Sequence, residues 1–317
     1  MRSASRGLPT TRRPSGPEAV GLTFATTPAP RQIGWGARTL VMGVLNLTPD
    51  SFSDGGRLTS VSAALKAATR MVAQGADLLD LGGQSTRPGA ELVGAAVEWQ
   101  RLQPVLAALQ PLRASHPALL ISVDTFDAAV AAAALAAGAD WINDVRGANF
   151  SVDSSGGSRR DPQMLPLIAR AGCPYVLMHS RGTSQTMDDL AVYGDVVAEV
   201  RAELLEATAQ ALAAGVRMEQ IIWDPGLGFA KTTAQNLELL RGLGELRSAG
   251  FPLLVGPSRK RFIGAVLDEP RPRARLWGTA AVCAQAIGAG AAILRVHDVG
   301  PIVQVARMVE ALRPISP

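Results

Sequence analysis

The sequence has few charged residues, few aromatic residues and almost no cysteine. Charged residues make up 18% of its 317 residues and aromatic residues 4%, and the only cysteines are Cys173 and Cys283. Apolar residues reach 47%, which excludes a chain that is disordered throughout. A body of this size needs no disulfide framework. Two cysteines without CxxC spacing therefore predict core positions in a reducing compartment.

Several function classes are excluded by missing patterns. No apolar run of about 18 or more residues is free of glycine and charge, and the Ala-rich stretch of residues 128–139 is too short and too weakly apolar to cross a membrane, so no membrane partner is expected. The three histidines form neither HxH nor HExxH, which argues against a zinc site. The sequence also lacks the GxSxG and GxxxxGK[ST] motifs. The aromatics do not alternate with a basic stripe, so no nucleic-acid partner is expected.

The basic charge is confined to the first 36 residues. They hold five arginines and one acidic residue, which accounts for the whole net charge of +4. Five prolines among Ser, Thr and Gly predict a disordered arm over residues 1–36, followed by a folded body over residues 37–317. The arm has no apolar core, which excludes a secretory signal. An Arg-rich, acid-poor arm leaves an organelle transit peptide open as the alternative to a cytoplasmic protein with an extension.

The body alternates short apolar runs with helical patterns, which is typical of βα units around a parallel sheet. Strands are predicted at Leu40–Leu45, Leu78–Leu81, Leu119–Val123, Trp141–Ile142, Tyr175–Met178, Ile221–Trp223, Leu253–Val255 and Ile293–Val296. Eight such units predict an α/β fold, a single-domain (β/α)8 TIM barrel. A doubly wound sheet is less favoured because no GxGxxG follows the first strand. Thr125 is the candidate N-cap of the third helix, and one helical face runs from Leu239 to Leu246.

Polar residues follow every predicted strand, and in a barrel these ends meet at one rim. The residues at the ends are Asn46, Gly82–Arg87, Asp124, Asn143–Asp144, His179, Asp224, Gly256–Lys260 and Arg295–Asp298. The acceptors Asp124, Asn143 and Asp224 suit a flat heterocycle with an amino-amide edge. Cationic residues at the same rim suit a pyrophosphate. The cationic set is Arg87, Lys260, Arg295 and His297.

Two longer motifs carry a resemblance to a known family. Residues 42–56 read MGVLNLTPDSFSDGG and residues 82–89 read GGQSTRPG. Further matching runs are ISVDT at 121–125, INDV at 142–145, VLMH at 176–179, DPGLGF at 224–229, SRKR at 258–261 and RVHD at 295–298. Together these runs resemble the dihydropteroate synthase family over residues 38–312.

The resemblance implies a (β/α)8 fold and a transferase of folate biosynthesis. Members join 6-hydroxymethyl-7,8-dihydropterin pyrophosphate to 4-aminobenzoate, and they release 7,8-dihydropteroate and pyrophosphate. It also implies Mg²⁺ as cofactor, competition by sulfonamides at the aminobenzoate site, and a homodimer. The small-molecule substrates are then the main partners, and a cytoplasmic location is expected.

The resemblance also assigns roles to residues. It implies a catalytic set of Asn46, Arg87, Asp124, Lys260, Arg295 and His297, with Asn46 holding Mg²⁺. It implies substrate binding by Phe52, Asp54, Thr86, Arg87, Pro88, Asp124, Asn143, Met178, Asp224, Phe229, Ser258, Lys260, Arg295 and His297. Within this set Phe52, Thr86, Arg87 and Pro88 belong to two loops that close over 4-aminobenzoate, and Asp54 orders the first loop. The carboxylate of 4-aminobenzoate is expected near the start of the helix that begins around residues 258–261.

The sequence departs from the family pattern at three places. Gln84 stands where glutamate is usual, Pro257 stands where a small or hydroxyl residue is commoner, and residues 146–161 form a longer Ser/Gly-rich connection. Two alternatives to a synthase remain. One is a barrel methyltransferase that uses methyl-tetrahydrofolate and a corrinoid partner, and the phosphate-binding motifs argue against it. The other is a non-catalytic pterin-binding protein.

Overall fold

A computed structural model describes residues 21–24, 31–36, 38–48, 61–86, 89–149 and 160–312. Over these residues the strands are β1 Gly21–Phe24, β2 Arg31–Gly34, β3 Leu40–Asn46, β4 Leu78–Gly82, β5 Leu120–Asp124, β6 Trp141–Ala148, β7 Tyr175–His179, β8 Ile221–Asp224, β9 Leu254–Val255 and β10 Ile293–Val296. The helices are α1 Val61–Ala73, α2 Ala95–Ser115, α3 Ala128–Ala136, α4 Met164–Ala171, α5 Val196–Ala213, α6 Thr233–Arg241, α7 Leu243–Arg247, α8 Arg261–Leu267, α9 Leu276–Gly288 and α10 Val299–Ala311. Every predicted strand is present, which confirms the (β/α)8 barrel.

The eight parallel strands close into a barrel in the order β8-β7-β6-β5-β4-β3-β10-β9. Strand β9 returns to β8 through the parallel bridge between Trp223 and Leu253, and the Trp223 amide donates to the Pro252 carbonyl at 2.9 Å. Around the ring, the pairing register advances by two residues at four of the eight junctions. The total stagger of eight residues is the shear of a TIM barrel, and it fixes the tilt of the strands.

The barrel interior is layered because alternate residues of each strand face inward. The lowest layer holds eight buried apolar side chains, one from each strand: Met42, Leu78, Leu120, Trp141, Val176, Ile222, Leu254 and Ile293. Two residues further along the strands, the next layer consists of Val44, Asp80, Ser122, Asn143, Met178, Asp224, Gly256 and Arg295. Asn46, Gly82, Asp124, Ser258 and His297 follow at the rim. Apolar packing thus closes one end, and polar chemistry is concentrated at the other.

Part of the segment that the composition assigned to an irregular arm is ordered. Strands β1 and β2 form an antiparallel pair with Gly21 opposite Gly34. Both strands contain residue types that favour extended structure: Thr23 and Phe24 in β1, and Ile33 in β2. Trp35 packs beneath the barrel, with its ring edge-on to Trp141 at 6.1 Å. The remaining residues of 1–36 lie outside the described residues.

Two helix predictions differ from the structure. Asp127, not Thr125, is the N-cap of α3, and its side chain accepts from the amides of residues 129 and 130. The Thr125 hydroxyl instead accepts from the Asp127 amide. The helical face from Leu239 to Leu246 is divided between α6 and α7 at Gly242, where a Cβ would lie 2.5 Å from a Val197 methyl group of α5. Close packing against α5 therefore requires a glycine there.

The two cysteines occupy core positions, as the composition predicts. Cys173 and Cys283 are both buried and unpaired, and burial raises the pKa of each thiol to about 12. Within the described residues, no helix combines the length and the apolar character needed to cross a bilayer.

Candidate active site

The centre of the polar layer is the Asp80 carboxylate, which the sequence analysis missed. It is fully buried, and its Oδ2 accepts from Arg295 Nε at 2.6 Å and from Asn143 Nδ2 at 3.2 Å. The available signal was one acidic residue in the otherwise apolar strand Leu78–Gly82, because a buried carboxylate needs a partner. Asp80 therefore fixes two of the predicted site residues.

Arg295 joins Asp80 to Asp124 across the barrel mouth. Its terminal nitrogen donates to Asp124 Oδ2 at 2.6 Å, so the guanidinium bridges two carboxylates. Burial opposes the charge of Arg295, but the two carboxylates raise its pKa overall. Burial raises the pKa of Asp124, and the Arg295 charge opposes that shift. Arg295 is 21% exposed and can contact a ligand that enters from the rim.

Three buried polar atoms in this layer have no hydrogen-bond partner among the described residues. They are the acceptors Asp80 Oδ1 and Asn143 Oδ1 and the hydroxyl oxygen Ser122 Oγ. Buried polar atoms are almost always paired, so the unpaired acceptors indicate a place for a donor-bearing ligand or for ordered water. Asp224 lies nearby, and one of its oxygens accepts from the Gly226 amide at 2.8 Å. Burial raises the pKa of Asp224, and the charge of Lys260 is the largest influence that opposes it.

Lys260 lies between the polar layer and an aromatic wall. Its ammonium donates to the Leu227 carbonyl and lies 4.8 Å from the centre of the Phe229 ring. Burial lowers the pKa of Lys260 to about 8, against the opposing charge of Asp224. Met178 is buried in the same layer, directly opposite Asp224 in the strand register. The structure therefore brings these four predicted residues together.

Ser258 and His297 meet on the other side of the mouth. Ser258 Oγ accepts from the His297 amide at 3.1 Å and lies 2.9 Å from His297 Nδ1. The next residue, Arg259, has a left-handed backbone with φ of 62°. It is held there by two hydrogen bonds to the Asp298 carboxylate, at 3.0 and 2.6 Å. This turn lets Ser258 face strand β10 while Lys260 faces Phe229.

Asn46 stands at the end of β3 next to Asp124. A Cβ built on Gly82 would lie 3.6 Å from Asn46 Oδ1 and 3.9 Å from Asp124 Oδ2, so both oxygens border the same small space. In the described part of the chain, no cluster of three or more carboxylate, histidine or cysteine side chains is suited to a metal ion. A metal ion bound here would be coordinated by single oxygen atoms of separate side chains and by oxygen atoms of the substrate.

A cleft at the rim brings Thr86 and Phe229 together, with Val145 and Ser180 in its wall. The other predicted loop residues, Phe52, Asp54, Arg87 and Pro88, lie outside the described residues. Gln84 precedes the cleft and is 8% exposed. Its amide nitrogen donates to the carbonyls of Ser85 and Glu91, at 2.9 and 3.0 Å, and its oxygen accepts from the Val93 amide at 2.9 Å.

Two polar strand ends do not join the rim. Asp144 accepts from the Tyr175 hydroxyl at 2.6 Å, and burial raises its pKa to about 6. His179 contacts Glu203 of helix α5 at 2.9 Å. Both lie one residue out of step with the inward-facing positions, so they point into the layer between strands and helices. The expectation that every polar strand end converges on the rim is therefore wrong for these two.

Comparisons with known proteins agree with this arrangement. The family described as "Pterin binding enzyme" matches residues 42–297. The dihydropteroate synthase of Synechocystis sp. is 49% identical over 290 residues, which is 90% of this chain and 96% of that protein. The solved structure of Xanthomonas albilineans dihydropteroate synthase with 4-aminobenzoic acid is similar, with a TM-score of 0.80 and 40% identity over 93% of this chain and 100% of that one. A structure of the Xanthomonas enzyme in complex with 7,8-dihydropteroate has a TM-score of 0.77, with 38% identity over 92% of this chain and 100% of that one.

Proposed function

Since this chain belongs to the pterin binding enzyme family, we propose that it is a dihydropteroate synthase. It joins 6-hydroxymethyl-7,8-dihydropterin pyrophosphate to 4-aminobenzoate, giving 7,8-dihydropteroate and pyrophosphate. The observation that carries this proposal is a rim where buried acceptors lie beside three cations. The acceptors are Asp80, Asp124, Asn143 and Asp224, and the cations are Lys260, Arg295 and His297 when protonated.

The acceptors suit the amino-amide edge of a pterin, which presents N–H donors in one plane. Asn143 Oδ1 is a buried acceptor without a partner. Asp224 supplies a carboxylate oxygen in the same layer, and Asp124 supplies another one layer nearer the rim. Lys260 Nζ would donate to the carbonyl side of the ring, and Met178 and Phe229 would cover its faces. Asp80 acts from beneath, because its bonds to Asn143 and Arg295 hold those side chains in place.

The reaction breaks the bond between the pterin methylene carbon and the pyrophosphate oxygen, and the electron pair leaves with pyrophosphate. The amine nitrogen of 4-aminobenzoate forms the new bond to that carbon and then loses a proton. Arg295 and His297 would stabilise the departing charge, and Asp124 and Asp224 would tolerate a cationic pterin. An aromatic amine is neutral at pH 7, so no strong general base is needed. Ser258, Thr86 and Phe229 would receive 4-aminobenzoate.

Asn46 fits a magnesium site of the kind that shares its ligands with a substrate. Mg²⁺ prefers oxygen ligands, keeps several waters and commonly takes only one or two protein oxygens plus phosphate oxygens. Asn46 Oδ1 and Asp124 Oδ2 border one space at the end of strands β3 and β5. When bound there, Mg²⁺ would neutralise charge on the pyrophosphate.

We also propose a homodimer in the cytoplasm. Val266, Leu267 and Trp277 expose apolar surface on α8 and α9, and Trp277 is 78% exposed. A Cβ on Gly278, the residue after Trp277, would lie 2.8 Å from Leu267, so α9 packs closely on α8 at this point of the surface. A monomeric wild type in sedimentation equilibrium would contradict the dimer. A Trp277→Glu variant that stays dimeric would contradict the proposed contact.

The decisive assay is pyrophosphate release by the purified chain with dihydropterin pyrophosphate and Mg²⁺. Release should depend on 4-aminobenzoate, and dihydropteroate should appear in equal amount. Tight pterin binding without turnover would instead support the non-catalytic alternative.

Asp224→Ala should abolish pterin binding in titration calorimetry, whereas the exposed α5 variant Glu206→Ala should bind normally. Full affinity in Asp224→Ala would refute the assigned pterin edge.

A further inference from the structure

The loop between β8 and α6 has an unusual backbone. Within five residues, Gly226, Gly228 and Ala230 all have left-handed φ values, of 66°, 76° and 48°. Ala230 is fully buried, although a residue with a Cβ disfavours this conformation. A Cβ on Gly226 would meet the His179 carbonyl oxygen at 1.8 Å, so only glycine fits there. Side-chain contacts must therefore hold this backbone in place.

The Lys231 side chain holds the loop in this conformation by donating hydrogen bonds to two of its carbonyls. Lys231 is 7% exposed, and its Nζ donates to the Gly226 carbonyl at 3.1 Å and to the Phe229 carbonyl at 2.9 Å. Its third neighbour is His179 Nδ1 at 2.9 Å. In its charged form Lys231 has three donors and no acceptor, so all three hydrogens have a partner, although burial and the Lys260 charge lower its pKa to about 7.

The chain of contacts continues through His179 to helix α5. His179 is fully buried, and its Nε2 lies 2.9 Å from Glu203 Oε2. Although burial opposes ionisation, hydrogen bonds from His179 and Arg181 lower the pKa of Glu203 to about 2. An ionised Glu203 only accepts, so His179 must carry its proton on Nε2 and present Nδ1 as an acceptor to Lys231. Burial and the Lys231 charge lower the pKa of His179 to about 4, which agrees with a neutral ring.

The loop held in this way touches the substrate-binding residues. The Gly226 amide donates to Asp224, and the Leu227 carbonyl accepts from Lys260. Phe229 lies against the Lys260 ammonium and lines the rim cleft. Any shift of the loop would therefore move both the pterin edge and the wall beside 4-aminobenzoate.

We propose that Lys231 is a positioning residue of the synthase, and that Glu203, His179 and Lys231 form a buried chain that fixes the Gly226–Phe229 loop against Lys260. The inference rests on the proposed function, since it concerns how that site is assembled. Lys231 contacts no substrate in this role. It acts through the two carbonyls that it binds.

Lys231→Met tests the proposal against a matched variant, Gln220→Met. Gln220 is also fully buried and donates to two carbonyls, Ile168 at 3.1 Å and Cys173 at 2.8 Å, but it lies at the start of β8, away from the rim. Urea unfolding should show that both variants are folded and similarly destabilised. Steady-state assays should show kcat/KM lower by about tenfold to a hundredfold in Lys231→Met only, because small misplacements of binding groups cost this much.

The outcomes separate the two proposals. A wild type without amine-dependent pyrophosphate release contradicts the proposed function. An active wild type with equal losses in Lys231→Met and Gln220→Met contradicts the positioning role alone. Glu203→Leu removes the acceptor for His179 Nε2 but keeps Lys231, and Glu203 is partly exposed, so we expect this second variant to fold. Its kcat/KM should fall by about threefold to tenfold. An unchanged value would contradict the proposed contacts from Glu203 through His179 to Lys231.

The protonation of His179 gives a test without mutation. With only three histidines in the chain, nitrogen-15 NMR of the wild type can assign each ring. At pH 7 His179 should be neutral with its proton on Nε2. A proton on Nδ1 would overturn the proposed direction of the chain from Lys231 to Glu203.

Discussion

Replacing Gln84 with glutamate tests whether the loop beside the rim cleft depends on an amide. The Gln84 amide nitrogen donates to two carbonyls, those of Ser85 and Glu91, while its oxygen accepts from the Val93 amide. A carboxylate can still accept from Val93. Its other oxygen would face two carbonyl oxygens without a proton to share.

The expected loss follows from these contacts. Each of the two lost donations is worth about 0.5–1.5 kcal/mol, and leaving the part-buried carbonyls of Ser85 and Glu91 without this donor adds to the cost. We therefore expect Gln84→Glu to lower the free energy of unfolding by about 2–4 kcal/mol at pH 7.5. The KM for 4-aminobenzoate should also rise, because Thr86 of the cleft lies only two residues beyond Gln84.

The loss should depend on pH. Burial against two carbonyls raises the pKa of the new glutamate in the folded state above about 4.3, its value in an unfolded chain. The folded state then binds the proton more tightly, so stability falls as the pH rises from the unfolded pKa through the folded pKa. The destabilisation should be smaller at pH 5 than at pH 7.5.

Urea unfolding at both pH values measures this, with Gln110→Glu as the control. The Gln110 amide also lies within hydrogen-bond distance of two carbonyls, Leu106 at 3.2 Å and Ala137 at 3.4 Å, but the residue is exposed. Water can replace its bonds, so its loss should stay below about 1 kcal/mol. A Gln84→Glu variant as stable as the wild type at both pH values would refute the reasoning.

Three further predictions concern stability, and urea unfolding measures each. Trp35→Ala should lower the free energy of unfolding by about 2–4 kcal/mol, because the edge-on contact with Trp141 beneath the barrel is lost. An unchanged free energy would mean that Trp35 does not close the barrel. Ala230→Gly should stabilise the chain by about 0.5–1 kcal/mol, since relief at φ of 48° exceeds the entropic cost of glycine; a destabilised variant would contradict the strain. Burial raises the pKa of Glu98 to about 7, so wild-type stability should fall as the pH rises from about 4.5 to 7. Glu98→Gln should remove up to about 3 kcal/mol of that fall, and an unchanged slope would show that another group titrates.

Periodicity and spacing were sufficient to predict the barrel. Each strand contains a short apolar run, and barrel closure requires no special residue beyond the number of units. The rim acceptors Asp124, Asn143 and Asp224 were found because they directly follow or end such runs. Asp80 could not be predicted from polar strand ends, because it lies inside a run, two positions before the strand end.

The prediction from strand ends also assigned two residues to the rim that do not lie there. Successive side chains of a strand point to opposite faces, so a shift of one position decides whether a side chain enters the barrel or faces the helices. The apolar run does not show which of the two faces Asp144 or His179 occupies. Lys231 and Glu203 could not be found from spacing at all. Glu203 lies in a helix between two strands, and its partnership with His179 exists only after α5 packs on β7.

The left-handed turn at Arg259 limits how this enzyme can evolve. A β-branched residue there would force the backbone out of the φ of 62°, and Ser258 and Lys260 would move together although neither had changed. Asparagine, aspartate or glycine would keep the turn but lose the pairing with Asp298. We therefore expect a change at any of residues 258, 259, 260 and 298 to affect the others. Adaptive change in substrate or inhibitor preference is expected at neighbouring positions instead.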